Sequence, residues 1–172
     1  RTIKYIKLAK KNNCFLLNKS NKEIDLFFDK INSNKINFEK IVKTNKELFK
    51  DLGENPKILL CFFAQPREVW EQKIESYKAS FDLLSPKGIK PSYQMAMPES
   101  FKQQVADSDV IYCHGGDDNL AMYWFNKLNV TEVWQGKVVG TNSATTHALS
   151  KHFWTCDWRQ AKDGLGVLPI KT

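Results

Sequence analysis

One serine stands where its neighbours could turn it into a nucleophile. In Lys137-Val-Val-Gly-Thr-Asn-Ser143-Ala-Thr-Thr-His-Ala-Leu-Ser-Lys151 a short apolar run passes through a tight turn into a helical pattern, with Ser143 on the turn. Such a strand-to-helix turn, a nucleophile elbow, lifts a serine hydroxyl clear of the sheet. It also sets the next amide, that of Ala144, at a helix N-terminus, where it can donate to a developing oxyanion. A second apolar run, Asp109-Val-Ile-Tyr-Cys-His114, ends in Gly115-Gly116. Glycines after a strand let the backbone approach a ligand and leave N–H groups unobstructed. Beside a serine elbow they would supply the other half of the oxyanion hole. Each signal has a plainer reading: Gly-Gly is a common loop, and serine is a common helix N-cap. The two together, at neighbouring strand ends, are what carries weight.

The turn departs from the usual elbow. Small residues normally stand two before and two after the serine, and here Thr141 and Thr145 occupy those places. A β-branched residue in a strained backbone conformation costs about 1–3 kcal/mol. Relaxation of the turn, with a displaced Ser143 hydroxyl, is therefore expected.

Other reactive side chains are sparse. His147 lies four residues along from Ser143, His152 two turns further on the same pattern, and His114 at the end of the neighbouring strand. No histidine has a carboxylate or thiol at metal-ligand spacing, so no metal and no cofactor is expected. Cys14, Cys61, Cys113 and Cys156 are far apart and form no CxxC pair. Cys61 and Cys113 sit in strand-like runs, where a reduced, buried thiol is the simple reading. Asp117 and Asp118 read as helix N-terminal caps. Gln65 and Arg67 follow the first strong apolar run and are placed to face the same cleft, with Arg67 the candidate partner for a substrate carboxylate. Trp154, Trp158 and Arg159 read as packing and a surface ion pair.

The elements that must position these residues alternate. Thr2–Leu8 is a weak first strand. A capping box at Ser20-Asn-Lys-Glu23 opens a helix through Ile31, and a second helix spans Asn37–Leu52. Ile58-Leu-Leu-Cys-Phe-Phe63 is the continuous apolar run of a strand covered on both faces. A helix over Pro66–Leu84, a strand over Ile89–Met97 and a short helix over Pro98–Ala106 follow. Then come the strand ending at His114, a helix over Asp118–Leu128, a strand over Lys137–Gly140 and a helix over Ser143–Phe153. Gly166–Lys171 starts another strand. This alternation implies an α/β three-layer sandwich with a mostly parallel sheet. Right-handed crossovers bring Ala64-Gln65, His114–Asp117 and Gly140–Ser143 to one edge, the usual place for a ligand.

At this point the chain resembles a family. Tyr112-Cys-His-Gly-Gly-Asp-Asp-Asn-Leu120, Val138-Val-Gly-Thr-Asn-Ser-Ala144, and Leu149 to Arg159 followed by Gly164-Leu-Gly-Val-Leu-Pro169 are similar to the S51 peptidases, the group of dipeptidase E and cyanophycinase. The likeness runs over about residues 56–172 and is poor before that. It implies a fold like the class I glutamine amidotransferases, flavodoxin-like in outline, and serine-type hydrolysis of small peptides, with aspartate before the scissile bond in the dipeptidase E case. By position it implies Ser143 as nucleophile and the Gly116 and Ala144 amides as oxyanion donors. Gly115 and Arg67, from their places after the strands, are expected to line the substrate, Arg67 if that substrate is acidic. The family elbow reads Gly-x-Ser-Ala-Gly, against Thr141-Asn142-Ser143-Ala144-Thr145 here. The family's histidine base follows the Gly-Leu-Gly-x-Leu-Pro segment, beyond Thr172. The alternative is a relative that has lost catalysis and keeps the fold as a binding or interaction domain.

Length and composition fit a single globular domain over 1–172, expected to be incomplete at its C-terminus, with 42% hydrophobic and 26% charged residues. No apolar run approaches the roughly 20 residues of a membrane span, and no leader pattern opens the chain. A cytoplasmic protein is the default. The net charge of +7 sits at the start: residues 1–50 hold 13 Lys/Arg against 5 Asp/Glu. These are almost all lysines scattered among asparagines, without the aromatic or arginine interleaving of a nucleic-acid stripe. The expected partner is a small peptide substrate, with neither nucleic acid nor membrane, and with room for a homodimer.

Overall fold

The computed structural model of the protein describes residues 14–16, 48–49, 52–155 and 159–172. Five parallel strands form the main sheet: β1 (Cys14–Leu16), β2 (Lys57–Cys61), β3 (Ser92–Met95), β4 (Val110–Cys113) and β5 (Val138–Thr141), in the order β1-β5-β4-β2-β3. The continuous apolar runs became the centre. All four residues of β4 are buried, as are Ile58 to Phe63 through and beyond β2. β3 lies at an edge, begins directly after Pro91 and alternates exposed with half-buried residues. That position suits proline, which has no N–H to give a central ladder.

Helices cover both faces. α1 (Trp70–Leu84), entered through a 3-10 turn at Arg67–Val69, lays Tyr77 and Phe81 against Phe62, Tyr112 and His114. Phe63 packs the other way, onto Phe101 of α2 (Phe101–Ala106) and Trp124 of α3 (Asp118–Lys127). A short α4 (Val130–Val133) leads towards β5, and α5 (Ala144–Leu149) follows it. The result is an α/β architecture with a parallel sheet between helical layers, of flavodoxin-like type. After β2 the chain moves outward to β3, then returns past β2 to β4. The reversal sets a topological switch point at the carboxyl ends of β2 and β4, the place where open α/β sheets bind ligands.

The expected helix over Ser143–Phe153 is corrected: it stops at Leu149, and Ser150–Thr155 is strand β6. Ser150 ends the helix by donating its hydroxyl to His147 O at 2.6 Å while its own backbone turns extended. Residues 150–155 then bury Ser150, Phe153 and Thr155 and expose Lys151 and Trp154, a period near two that belongs to a strand. β6 pairs antiparallel with β7 (Gln160–Asp163), which the sequence did not announce, and parallel with β8 (Leu168–Lys171). The Pro98–Ala106 helix is trimmed to begin at Phe101, and α1 begins at Trp70 behind its 3-10 turn. The expected strand at Thr2–Leu8, the capping-box helix to Ile31 and all but the last residues of the Asn37–Leu52 helix lie outside the described residues. Among the described residues no helix is long and apolar enough to cross a membrane.

Gly164-Leu165-Gly166 closes the end of α5. Leu165 N–H donates to Ala148 O at 2.8 Å, and the Gly164 and Gly166 amides reach Lys151 O and Ser150 O at 3.1 Å each. Carbonyls freed at the helix terminus are thereby satisfied. A Cβ on Gly164 would overlap Ser150 O and come within 2.8 Å of His147 O. Gly164→Ala is therefore expected to destabilise the protein by about 1–3 kcal/mol, read from the shift in urea midpoint at unchanged m-value.

Candidate active site

Three strand ends meet as expected, and backbone polar groups join them. Asp117 N–H donates to Ala64 O at 2.8 Å, tying the loop after β4 to the loop after β2. Asn142 N–H reaches Cys113 O at 3.4 Å, tying β5 to β4. Between them the Gly115-Gly116 backbone is pressed from both sides. A Cβ on Gly115 would stand 2.6 Å from Asn142 O and 2.7 Å from Ser143 Cβ. One on Gly116 would overlap Ala64 O and Gln65 Nε2. Both positions need glycine for close approach, so the pair is more than a loose loop.

Ser143 adopts φ 50° and ψ −126° immediately before α5. A residue with a Cβ rarely occupies that region, and it persists only where the surroundings enforce it. The expected relaxation of the turn does not occur, because both threonines become part of it. Thr145 Oγ1 lies 2.8 Å from Cys113 O and 2.9 Å from Asn142 O, and accepts from Asn142 N–H at 3.2 Å. Thr141 Oγ1 pairs with Thr146 Oγ1 at 3.0 Å. The hydroxyls take up polar groups that the sharp bend exposes, and both threonines are fully buried. Ala144 N–H and Gly116 N–H donate no backbone hydrogen bond among the described residues.

Side chains complete the frame. Asn142, 0% exposed, accepts from Gly115 N–H through Oδ1 at 2.7 Å. Gln65 Nε2 donates to Gly115 O at 2.6 Å. Asp117 caps α3, accepting from Asn119 and Leu120 N–H at 2.7 and 2.8 Å. Asp118 does not cap; it turns to His147 Nδ1 at 3.1 Å and joins the first turn of α3 to α5. Arg67, expected in the cleft, holds Glu71 at 2.6 Å and lies over the Trp70 ring at 4.9 Å on the exposed side of the 3-10 turn. The side chain that reaches the glycines from this turn is Gln65.

Each histidine is engaged elsewhere than at Ser143. His114 Nδ1 meets Tyr77 OH at 2.5 Å. Burial, helped by the charge of Lys73, pushes its pKa down to about 3, so the ring is neutral. His147 stacks on Phe153 in addition to its Asp118 contact, and His152 pairs with Asp163 at 2.6 Å near the surface. Cys61 and Cys113 face each other across β2 and β4 as buried free thiols, and burial raises the Cys61 pKa well above its ordinary value. A thiol held protonated in this way is a poor nucleophile. Among the described residues no three or more His, Cys, Asp or Glu side chains are gathered to hold a metal.

The sequence pattern anticipated the meeting of the three turns at one edge. It missed Asn142 and the Asp118–His147 and Tyr77–His114 contacts, which join residues 27 to 37 positions apart and carry no local signal.

No protein-family model matches the chain, and no curated protein matches it. Among solved structures it is similar to a candidate peptidase E protein from Listeria monocytogenes EGD-e, with 18% identity and a TM-score of 0.49 over 67% of this chain. The match spans 59% of that protein's length.

Two outcomes follow from the geometry. Gly115→Ala is expected to lower the melting temperature and to disturb the Ser143 backbone resonances, because the new methyl group must displace Asn142 O or Ser143 Cβ. His114 has a folded pKa of about 3 against an ordinary histidine value of 6.5. Below about pH 6.5 the unfolded chain therefore binds a proton that the folded chain refuses. Stability is expected to fall as pH drops from about 6.5 towards 3, by up to about 1.4 kcal/mol per pH unit from this group. Urea titrations of His114→Phe should show a flatter dependence over that window.

Proposed function

We propose that the protein is a serine-type hydrolase of small peptides, with Ser143 as nucleophile and the Gly116 and Ala144 amides as oxyanion donors. The observation that carries this reading is Ser143 itself, held at φ 50° and ψ −126° at the start of a helix with the Gly115 backbone packed against its Cβ. Strain of this kind is kept where a side chain must be presented. In the reaction, Oγ attacks the scissile carbonyl, and the carbonyl oxygen, gaining charge, is taken by the two amides. A base must remove the hydroxyl proton, since serine is weakly nucleophilic unaided. The resemblance to S51 peptidases assigns that role to a histidine after Thr172, and the same resemblance supports aspartate-containing dipeptides as substrates. A cytoplasmic peptidase that works without metal or cofactor completes the reading.

The second reading is a non-catalytic relative that binds peptides at the same strand ends. It is favoured by one observation: among the described residues no histidine is hydrogen-bonded to Ser143.

The two separate in one experiment. The full chain is treated with a fluorophosphonate probe and assayed against Asp-X dipeptides. The hydrolase reading expects labelling confined to Ser143, and turnover reduced at least about a thousandfold in Ser143→Ala. Unlabelled Ser143 together with peptide binding in the absence of turnover would establish the second reading.

A further inference from the structure

We propose that Gln65 is a positioning residue that fixes the oxyanion donor at Gly116, a role that rests on Ser143 being the nucleophile. The peptide unit joining Gly115 to Gly116 carries both Gly115 O and Gly116 N–H. A trans peptide is planar, with its carbonyl and N–H pointing to opposite sides. Gln65 Nε2 holds Gly115 O at 2.6 Å, so it sets the direction of Gly116 N–H without touching it. A flip of this peptide would exchange the donor for a carbonyl oxygen, which would repel an oxyanion. Glycines make such flips cheap, so a fixed donor needs an external hold.

Gln65 is built to give that hold. Its own N–H donates to Phe62 O at 2.8 Å, and its carbonyl accepts from Trp70 Nε1 at 3.0 Å. The side chain is half-buried, and its Nε2 lies so close to Gly116 that a Cβ there would overlap it. On the other side Asn142 Oδ1 takes Gly115 N–H at 2.7 Å. Two side-chain amides, from the strand ends on either side of β4, thus grip both polar groups of Gly115. The bond to Gly115 O also polarises the peptide, making Gly116 N–H a stronger donor. Gln65 follows β2 at the strand ends where the topology reverses.

The test uses the full chain with Gln65→Met and Gln65→Glu, and with Ser108→Ala as a remote buried control. Two quantities are read: the second-order rate of fluorophosphonate labelling at Ser143, and the amide nitrogen resonance of Gly116. Gln65→Met, similar in shape but unable to donate, is expected to lower the labelling rate about tenfold or more and to shift the Gly116 resonance upfield. Ser108→Ala should change neither. Gln65→Glu is expected to be as slow as Gln65→Met near neutral pH, and its rate relative to the parent should recover as pH falls and the carboxyl regains a proton to donate. An unmoved Gly116 resonance in Gln65→Met overturns the proposal, as does a moved resonance with a rate within twofold of the parent. A parent that does not label at Ser143 removes the hydrolase reading, and the Gly116 resonance alone then decides whether Gln65 fixes this peptide.

Discussion

The site depends on one close approach, that of the Gly115 backbone to the turn at Asn142 and Ser143. At this distance there is no space for a side chain between β4 and β5, since a methyl group on Gly115 would overlap Asn142 O and Ser143 Cβ. The approach brings the Gly115 backbone next to the serine, and it buries polar backbone that must find partners. Asn142 Oδ1, Thr145 Oγ1 and Gln65 Nε2 are those partners. Buried groups left unpaired cost about 1–3 kcal/mol each, so the close approach and the side-chain bonds are one feature.

The threonines around Ser143 show how a turn can be kept without its usual glycines. A glycine relieves crowding by having no Cβ. Thr145 is accommodated with its hydroxyl bonded to Asn142 and Cys113 backbone groups at the bend, and Thr141 with its hydroxyl paired to that of Thr146. The strain at Ser143 is then held in place by cohesion on either side, and the serine remains the half-exposed member of a buried run. The bend is specified by hydrogen bonds more than by small residues.

The face of the sheet beneath α1 contributes rigidity. Phe62, Tyr77, Phe81, Tyr112 and His114 form a continuous set of aromatic contacts under the carboxyl ends of β2 and β4. A neutral, buried His114 immediately before Gly115 anchors the start of the loop, so the glycines are mobile in principle and confined in fact. On the opposite face Asp118 and His147 tie α3 to α5, fixing the helix whose N-terminus follows Ser143.

Much of this was legible in the chain. The apolar runs at Ile58–Phe63 and Asp109–His114 read as parallel strands covered on both faces, and Ser143 between a strand pattern and a helix pattern read as a residue on a tight turn. The end of α5 was not legible, because the expected helix ran on to Phe153 and only pairing with β7 and β8 makes Ser150–Thr155 a strand. Thr141 and Thr145 read as obstacles, since sequence reports their bulk and not the acceptors across the turn. Arg67 read as a cleft residue because charge is visible in sequence and the direction of a side chain is not. The sequence by itself determined which segments alternate, which residues are small enough for backbones to meet, and where a nucleophile could stand. The tertiary structure alone decided which side chains hold the meeting point, because Gln65, Gly115 and Asn142 become neighbours only when parallel strands bring distant turns to one edge.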